Sequence, residues 1–298
     1  MIILVESWKE DPLAKAMTGN VIRIHSDSTL FEAQELLTKS RLTRLVVTDR
    51  LEMLRGIITR RDVVRFLYVD KSERPLDSML VREAMSTPVI TLQPTDSLTQ
   101  AARTMNKKGI SSVVVTDFGQ ILGIVTKTDL CFHFSLFTSR ERVKDCMTRK
   151  VYTVRPTHSI FFAVSLLARQ GISRIPVVDD RIRGIITLSD IVKSAPVMRP
   201  DLAHGKMHPK SYGGFIAPVA KLAAITVSDL MTPNPTTASP DDLLSRAAET
   251  MIEHGISGLP VTNSKGRVLG IVTKTDVVRV VATNRSWRRN SQERSLDI

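Results

Sequence analysis

The sequence predicts an α/β (α+β) protein built from four copies of one β-α-β-β-α unit, and three observations carry that reading. The segment Gly-apolar-apolar-Thr-x-x-Asp occurs four times: GIITRRD (56–62), GIVTKTD (123–129), GIITLSD (184–190) and GIVTKTD (270–276). Upstream of each lies a second recurring element, LAKAMT (13–18), VREAMS (81–86), VKDCMT (143–148) and VSDLMT (227–232). Between the two, apolar residues recur at helical spacing. Self-similarity in a fixed order marks a repeat architecture, in which one copy alone cannot cover its own apolar faces.

Each unit opens with a strand-like stretch after its lead-in element: VIRI, VITL, VYTV and PTTA. A turn follows, marked by Pro94, Pro156 and Pro240 in the last three copies. Then comes a helix whose apolar residues fall at i, i+3, i+4 and i+7. The second copy gives Leu98, Ala101, Ala102 and Met105, the third Ile160, Ala163, Val164 and Leu167, and the fourth Leu244, Ala247, Ala248 and Met251. That spacing puts one apolar stripe on a 3.6-residue period. Gly109, Gly171 and Gly255 sit just past these helices, where a left-handed cap favours glycine. Short apolar strands follow (SSVVVTD, SRIPVVD, SGLPVTN), then the Gly-apolar-apolar-Thr strand, then a final helix starting near each motif Asp.

One unit is too small to bury both of its helices, so pairing is expected. Copies one and two are separated by YVDKSERPLDSM (68–79) and copies three and four by a longer Gly-, Pro- and Lys-containing segment, 196–226. These linkers place a domain boundary near residue 138.

On these motifs each unit resembles the cystathionine-β-synthase-type (CBS) domain, and two in tandem resemble a Bateman module. The implied organisation is a first module over 1–138, with repeats at about 13–67 and 81–134. A second module over 139–284 has repeats at about 143–195 and 227–283 around the insertion 196–226, and a basic tail spans 285–298. The resemblance implies clefts for an adenine nucleotide (AMP, ADP or ATP, with S-adenosylmethionine also compatible). By the same resemblance Asp62, Asp129, Asp190 and Asp276 bond ribose hydroxyls. Thr59, Thr126, Thr187 and Thr273 meet phosphate together with Arg60, Lys127, Lys274, Arg44 and Arg174. The strands bearing Thr91, Thr153 and Thr237 line the adenine, and Pro176 and Pro260 shape the cleft.

The chemistry fits these assignments. An ionised carboxylate offers two acceptor oxygens to two vicinal hydroxyls, and a helix start offers unpaired N–H groups and a positive dipole end to phosphate. Thr-x-x-Asp is also a capping-box pattern, so the same residues are expected both to cap a helix and to hold a ligand. The copies are unequal. The first has Arg41 in place of the cap glycine, and Arg23 where the others have threonine, an arginine expected to occupy the adenine space. The third has Leu188 where its siblings have Arg60, Lys127 or Lys274. Two to four occupied sites is the expected range.

No P-loop, GxGxxG, GxSxG or HExxH pattern occurs, so neither an enzyme nor a metal site is expected. The two cysteines, Cys131 and Cys146, fit buried thiols in a reducing cytoplasm. No apolar run approaches the roughly 20 residues that span a bilayer. The 42 Lys and Arg against 30 Asp and Glu give a net charge of +12, which favours polyanionic partners. Arg199, Lys206 and Lys210 in the insertion, and Arg285, Trp287, Arg288, Arg289 and Arg294 in the tail, suit phosphate contact and base stacking. In organisation the chain is similar to free-standing archaeal CBS-repeat proteins, some of which act as ribosome hibernation factors. The expected function is therefore an adenine-nucleotide sensor docking on RNA or the ribosome. The alternative is an allosteric subunit of a metabolic enzyme or transporter, and a homodimer through the modules is compatible with either.

Overall fold

A computed structural model describes residues 11–69, 74, 76–198, 225–283 and 288–289. Repeat one contributes β1 (Arg23–His25), α1 (Leu30–Lys39), β2 (Arg44–Thr48), β3 (Leu54–Thr59) and α2 (Arg60–Val69). Repeat two runs α3 (Val81–Ala84), β4 (Thr91–Leu92), α4 (Leu98–Lys108), β5 (Ser112–Asp117), β6 (Gln120–Thr126) and α5 (Lys127–Ser135), followed by β7 (Phe137–Thr138). Repeat three has α6 (Val143–Cys146), α7 (Ile160–Gln170), β8 (Arg174–Val178), β9 (Ile182–Thr187) and α8 (Leu188–Met198). Repeat four has α9 (Val227–Leu230), β10 (Thr232–Pro233), α10 (Leu244–Glu253), β11 (Gly258–Thr262), β12 (Val268–Thr273) and α11 (Lys274–Val281), with β13 (Arg288–Arg289) beyond it. The β-α-β-β-α order read from the sequence is the order of repeats one and two; in repeats three and four the first strand is reduced to single parallel bridges, Val154 to Val177 and Ala238 to Val261.

The four hairpins share one register. Val47 faces Gly56, Val115 faces Gly123, Val177 faces Gly184 and Val261 faces Gly270, and each ladder slips by a residue just beyond that rung. The helical stripes are buried as their spacing required: every residue named for α4, α7 and α10 lies in the core. Gly109, Gly171 and Gly255 take φ of 65°, 61° and 62°. Arg41 adopts φ 54° in their place, a left-handed conformation that costs a side-chain-bearing residue about 1 kcal/mol.

The lead-in segments do not stay with their own repeats. Leu13 and Ala14 donate their N–H groups to Asp96 and Pro94 in repeat two, and Val81 and Arg82 donate to Ser28 and Ser26 in repeat one. Val143 and Lys144 bond Asp242 and Pro240 in repeat four, and Val227 and Ser228 bond His158 and Pro156 in repeat three. The turns marked by proline are thus docking points. Past each one-turn helix, Thr18 bridges Ile124, Ser86 bridges Ile57, Thr148 bridges Ile271, and Thr232 pairs with Ile185. In every case the Ser or Thr after the lead-in methionine meets the residue after the motif glycine. The methionine covers that glycine so closely that a Cβ would lie 2.5 Å from Met85 Sδ at Gly56, 2.6 Å from Met17 Sδ at Gly123, 2.5 Å from Met231 Sδ at Gly184 and 2.7 Å from Met147 Sδ at Gly270.

The chain forms two compact units, and they do not coincide with the halves 1–138 and 139–284 set by the linkers. One unit comprises the described parts of Met1–Asn20, Ile90–Val151 and Thr236–Ile298, the other those of Val21–Val89 and Tyr152–Pro235. Repeats two and four share the first, which we call the 2–4 unit, and repeats one and three the second, the 1–3 unit. The reason is helical packing. In the 2–4 unit α5 packs on α10 and α11 around Phe134, Met105 and Met251. In the 1–3 unit α2 packs on α7 and α8, with Val64 in one cluster with Ile160, Leu167 and Ile191.

Two stability predictions follow from these contacts. Replacing Arg41 with glycine should raise unfolding stability by about 0.5–1 kcal/mol in a denaturant titration; a loss would mean the side chain holds something the backbone does not show. Gly270→Ala meets the Thr148 carbonyl oxygen at 2.8 Å as well as Met147, whereas the three nearest atoms to a Cβ at Gly56 all belong to the Met85 side chain. Gly270→Ala should therefore cost about 2–3 kcal/mol and remain costly when combined with Met147→Ala. Gly56→Ala should cost less, and Met85→Ala should recover part of that loss. Equal penalties for the two glycines would contradict the close approach.

Candidate functional site

All four motif threonines end a strand, and all four motif aspartates stand three residues on, in the first turn of a helix. One carboxylate oxygen, Oδ2, accepts twice from the threonine of its own motif. For Asp62 the Thr59 N–H and hydroxyl lie at 2.8 and 2.7 Å, for Asp129 the Thr126 groups lie at 2.7 and 2.8 Å, for Asp190 those of Thr187 lie at 2.8 and 2.7 Å, and for Asp276 those of Thr273 lie at 2.7 and 2.9 Å. The threonine oxygens accept N–H groups from the first turn in return. The capping box is therefore present four times, and it uses one oxygen of each carboxylate.

The second oxygen separates the four copies. Asp62 Oδ1 accepts from the Ser86 hydroxyl at 3.3 Å. Asp276 is 2 % exposed, and its Oδ1 lies 3.0 Å from Arg279 Nη2, an ion-pair distance without hydrogen-bond geometry. Burial raises the Asp276 pKa, against the opposing pull of Thr273 and Arg279. Asp129 and Asp190 are only half-buried, and among the described residues no side chain bonds their second oxygen. The fourth corner, identical to the second in sequence, is thus the most enclosed of the set.

The basic residues of the motifs brace the paired repeats. In the 2–4 unit Lys127 Nζ donates to Thr275 Oγ1 at 2.9 Å, and Lys274 Nζ donates to Thr128 Oγ1 at 3.1 Å. In the 1–3 unit Arg60 donates to Ser189 Oγ and to the Leu37 carbonyl, the latter at 3.1 Å. Each cation starts one helix and grasps the hydroxyl one position further along the facing helix. Leu188 has no such role because it is buried in the core of the 1–3 unit. Desolvation lowers the Arg60 pKa, with nearby Asp190 working against that shift.

Register brings further predicted residues to the same corners. Arg44 faces Thr59 across the β2–β3 ladder and Arg174 faces Thr187 across β8–β9, while Ser112 and Gly258 hold those positions in the 2–4 unit. Arg44 also bonds the Thr43 hydroxyl and Arg174 the Ser173 hydroxyl. Thr91, Thr153 and Thr237 are exposed beside buried strands. Val46 and Val114 donate their N–H groups to the Ile22 and Ile90 carbonyls at 3.4 and 3.3 Å. Pro176 and Pro260 occupy that strand position in repeats three and four and have no N–H to give, so they relieve the Tyr152 and Thr236 carbonyls of that ladder bond. Arg23, at the register position of Thr91, is exposed and pairs with Glu52 of the β2–β3 hairpin at 2.9 Å.

The expected nucleic-acid residues are only partly within view. Arg199, Lys206, Lys210, Arg285, Trp287 and Arg294 lie outside the described residues. Arg288 and Arg289 form β13, antiparallel to β7. Burial pushes the Cys131 thiol up to about 12 and, with nearby acidic groups, the Cys146 thiol to about 11. Among the described residues no three His, Cys, Asp or Glu side chains converge on a metal position, and no helix is long and apolar enough to cross a membrane.

Several participants were not singled out from sequence. Thr128, Thr275 and Ser189 are the hydroxyl partners of the braces, and the shared TKTD of copies two and four was the available signal. Ser86 reaches the second oxygen of Asp62 from 24 residues away, which no local pattern announces, whereas Arg279 stands three residues after Asp276 on the same helix, a spacing legible in the sequence. Chemically, the Asp129 corner offers a carboxylate oxygen for a diol and Lys127 at a helix start for an anion, while the Asp190 corner offers a carboxylate oxygen, the Tyr152 carbonyl for an amine and Arg174 on the facing strand for an anion.

Comparison with known proteins sets this geometry in a family. Protein MJ1225 of Methanocaldococcus jannaschii is 27% identical over 282 residues, covering 90% of this chain and 97% of the relative. Its crystal structure, presented as that of a candidate archaeal homologue of g-AMPK, superposes with a TM-score of 0.79 at 25% identity over 91% of this chain and 99% of that one. A 33.4 kDa protein encoded in a ribosomal RNA operon of Thermofilum pendens is 24% identical over 269 residues, 86% of each chain. The homoserine O-acetyltransferase of Methanosphaera stadtmanae matches at 27% over 212 residues, 70% of this chain but 38% of the enzyme. The CBS domain family itself matches residues 13–69, 81–135, 143–196 and 227–283. With four matched copies covering most of its length, the chain belongs to the CBS domain family.

Proposed function

We propose that this protein is a non-enzymatic sensor of adenine nucleotides, with the corners at Asp129 and Asp190 as its principal sites. The open second oxygen of those two carboxylates is the observation that carries the reading. A ribose presents two vicinal hydroxyls, and an ionised carboxylate accepts from both. The Tyr152 and Thr236 carbonyls suit the exocyclic amine of adenine, and Arg174 and Lys127 suit its phosphate. Likeness to MJ1225, described as a candidate homologue of g-AMPK, supports the nucleotide class.

The braces give binding a route to a response. A phosphate that recruits Lys127 competes with Thr275 for the ammonium, and one that recruits Arg60 competes with Ser189. The linkers at 68–79 and 196–226 favour the tandem pairs within 1–138 and 139–284 as the modules that transmit it. The charge of +12 and the relative encoded in a ribosomal RNA operon favour RNA or the ribosome as the macromolecular partner. The partial match to a homoserine O-acetyltransferase favours the second reading, regulation of a metabolic enzyme.

Calorimetry on the full chain with AMP, ADP, ATP and S-adenosylmethionine tests the ligand. Asp129→Asn and Asp190→Asn should each weaken the preferred nucleotide by about tenfold or more, the worth of a hydrogen bond to a charged group. Asp276→Asn should change affinity less than about threefold. Unaltered binding in the first two variants would leave the carboxylates as helix caps alone. For the partner, co-sedimentation with ribosomes should be strong near ~50 mM salt and fall steeply by ~200 mM, as counterion release requires. No association at the low salt would exclude the RNA reading and leave enzyme regulation.

A further inference from the structure

We propose that the 1–3 unit carries a separate site for a small phosphate monoester, at the end of β3 away from Thr59 and Asp62. A cavity of about 560 Å³ opens there, within the roughly 300–1,000 Å³ of small-molecule sites. Arg55, Arg82, Ser26 and Thr87 give it a cationic and hydroxyl side, and Leu54 and Met85 give it an apolar one. Thr59, Arg60 and Asp62 do not line it; Arg82 and Met85 come from the lead-in VREAMS, and Val89 opens the stretch VITL.

Both guanidinium groups are held in place before any ligand arrives. Arg55 Nε bonds Asp49 Oδ2 at 2.7 Å, and Asp49 is itself fixed by the N–H groups of Leu51 and Met53 at 2.9 and 3.0 Å. Arg82 is paired with Asp27. A guanidinium has five N–H donors in a rigid fork, so a carboxylate on one edge leaves donors on another. Two such forks at one cavity suit a monoester, which carries a charge near −2 at neutral pH, better than a singly charged diester. The apolar wall receives the organic part.

The other repeats show that packing does not demand this pair. The equivalent positions, before the motif glycine and after the first lead-in residue, hold Leu122 with Ala14, Arg183 with Ser228, and Leu269 with Lys144. All three fold in the same way with at most one cation. Only repeat one, covered by the lead-in of repeat two, brings two arginines together.

The test uses the full chain carrying Asp129→Asn and Asp190→Asn, so that the motif corners and this cavity are read separately. Ribose 5-phosphate should bind with a saturable one-site isotherm and slow amide exchange in the segment from Met85 to Val89, whereas ribose should do neither. Arg55→Gln and Arg82→Gln should each weaken binding at least tenfold, and Arg183→Gln should leave it unchanged. Thr87→Trp, which fills the cavity and spares both ion pairs, should abolish it. Equal affinity in the arginine or tryptophan variants, or protection by a single-stranded RNA nonamer but not by ribose 5-phosphate, would overturn the proposal.

Discussion

The close approach of each lead-in methionine to a glycine in another repeat is the contact on which the rest of the structure depends. It fixes register, because the next residue must pair beside that glycine, and it seats a fully buried Leu13, Val81, Val143 or Val227. Burying one such aliphatic side chain contributes about 1.5–3 kcal/mol. The exchange is reciprocal between repeats one and two and between three and four, while the helices share cores between one and three and between two and four. Every repeat is therefore completed by two others, and none can fold fully by itself.

The same economy of parts governs the polar corners. Capping needs one oxygen of each motif aspartate, and the fold has no general claim on the other. What happens to that second oxygen depends on neighbours that differ among the copies: Ser86 for Asp62, Arg279 for Asp276. Helix capping and ligand binding are therefore compatible uses of one side chain, as the Thr-x-x-Asp pattern suggested. They become competing uses only where a neighbour claims the remaining oxygen.

Much of the fold was legible because its causes are local. The 3.6-residue stripes, the left-handed glycines and the repeated hairpins each follow from a few adjacent residues. Linker length pointed to halves divided near residue 138, but the compact units are set by helix faces meeting across long separations. Lys127 and its partner Thr275 stand 148 residues apart, and no local pattern could join them. Identity of sequence does not carry identity of surroundings: GIVTKTD reads the same at 123 and 270, yet Asp276 is buried beside Arg279 where Asp129 is half-buried. The pairing of Arg23 with Glu52, 29 residues on, was likewise not legible from either residue's neighbours.

The braces also explain how the corners can hold cations without losing them to the fold. A lysine bonded to Thr275 or Thr128 keeps its charge in that contact, since a hydroxyl is neutral. A carboxylate in that position would cancel the charge and deepen the cost of release, because it adds a charge–charge attraction that a neutral hydroxyl lacks. Surrendering a hydroxyl is the smaller loss, and an arriving anion offers the larger gain. Where the strand supplies Arg44 and Arg174 opposite the motif threonines, a single brace from Arg60 suffices and Leu188 can be buried. Where the strand offers only Ser112 and Gly258, both facing helices begin with lysine. The positive charge thus shifts between strand and helix start from one unit to the other, while its position beside the motif threonine is kept.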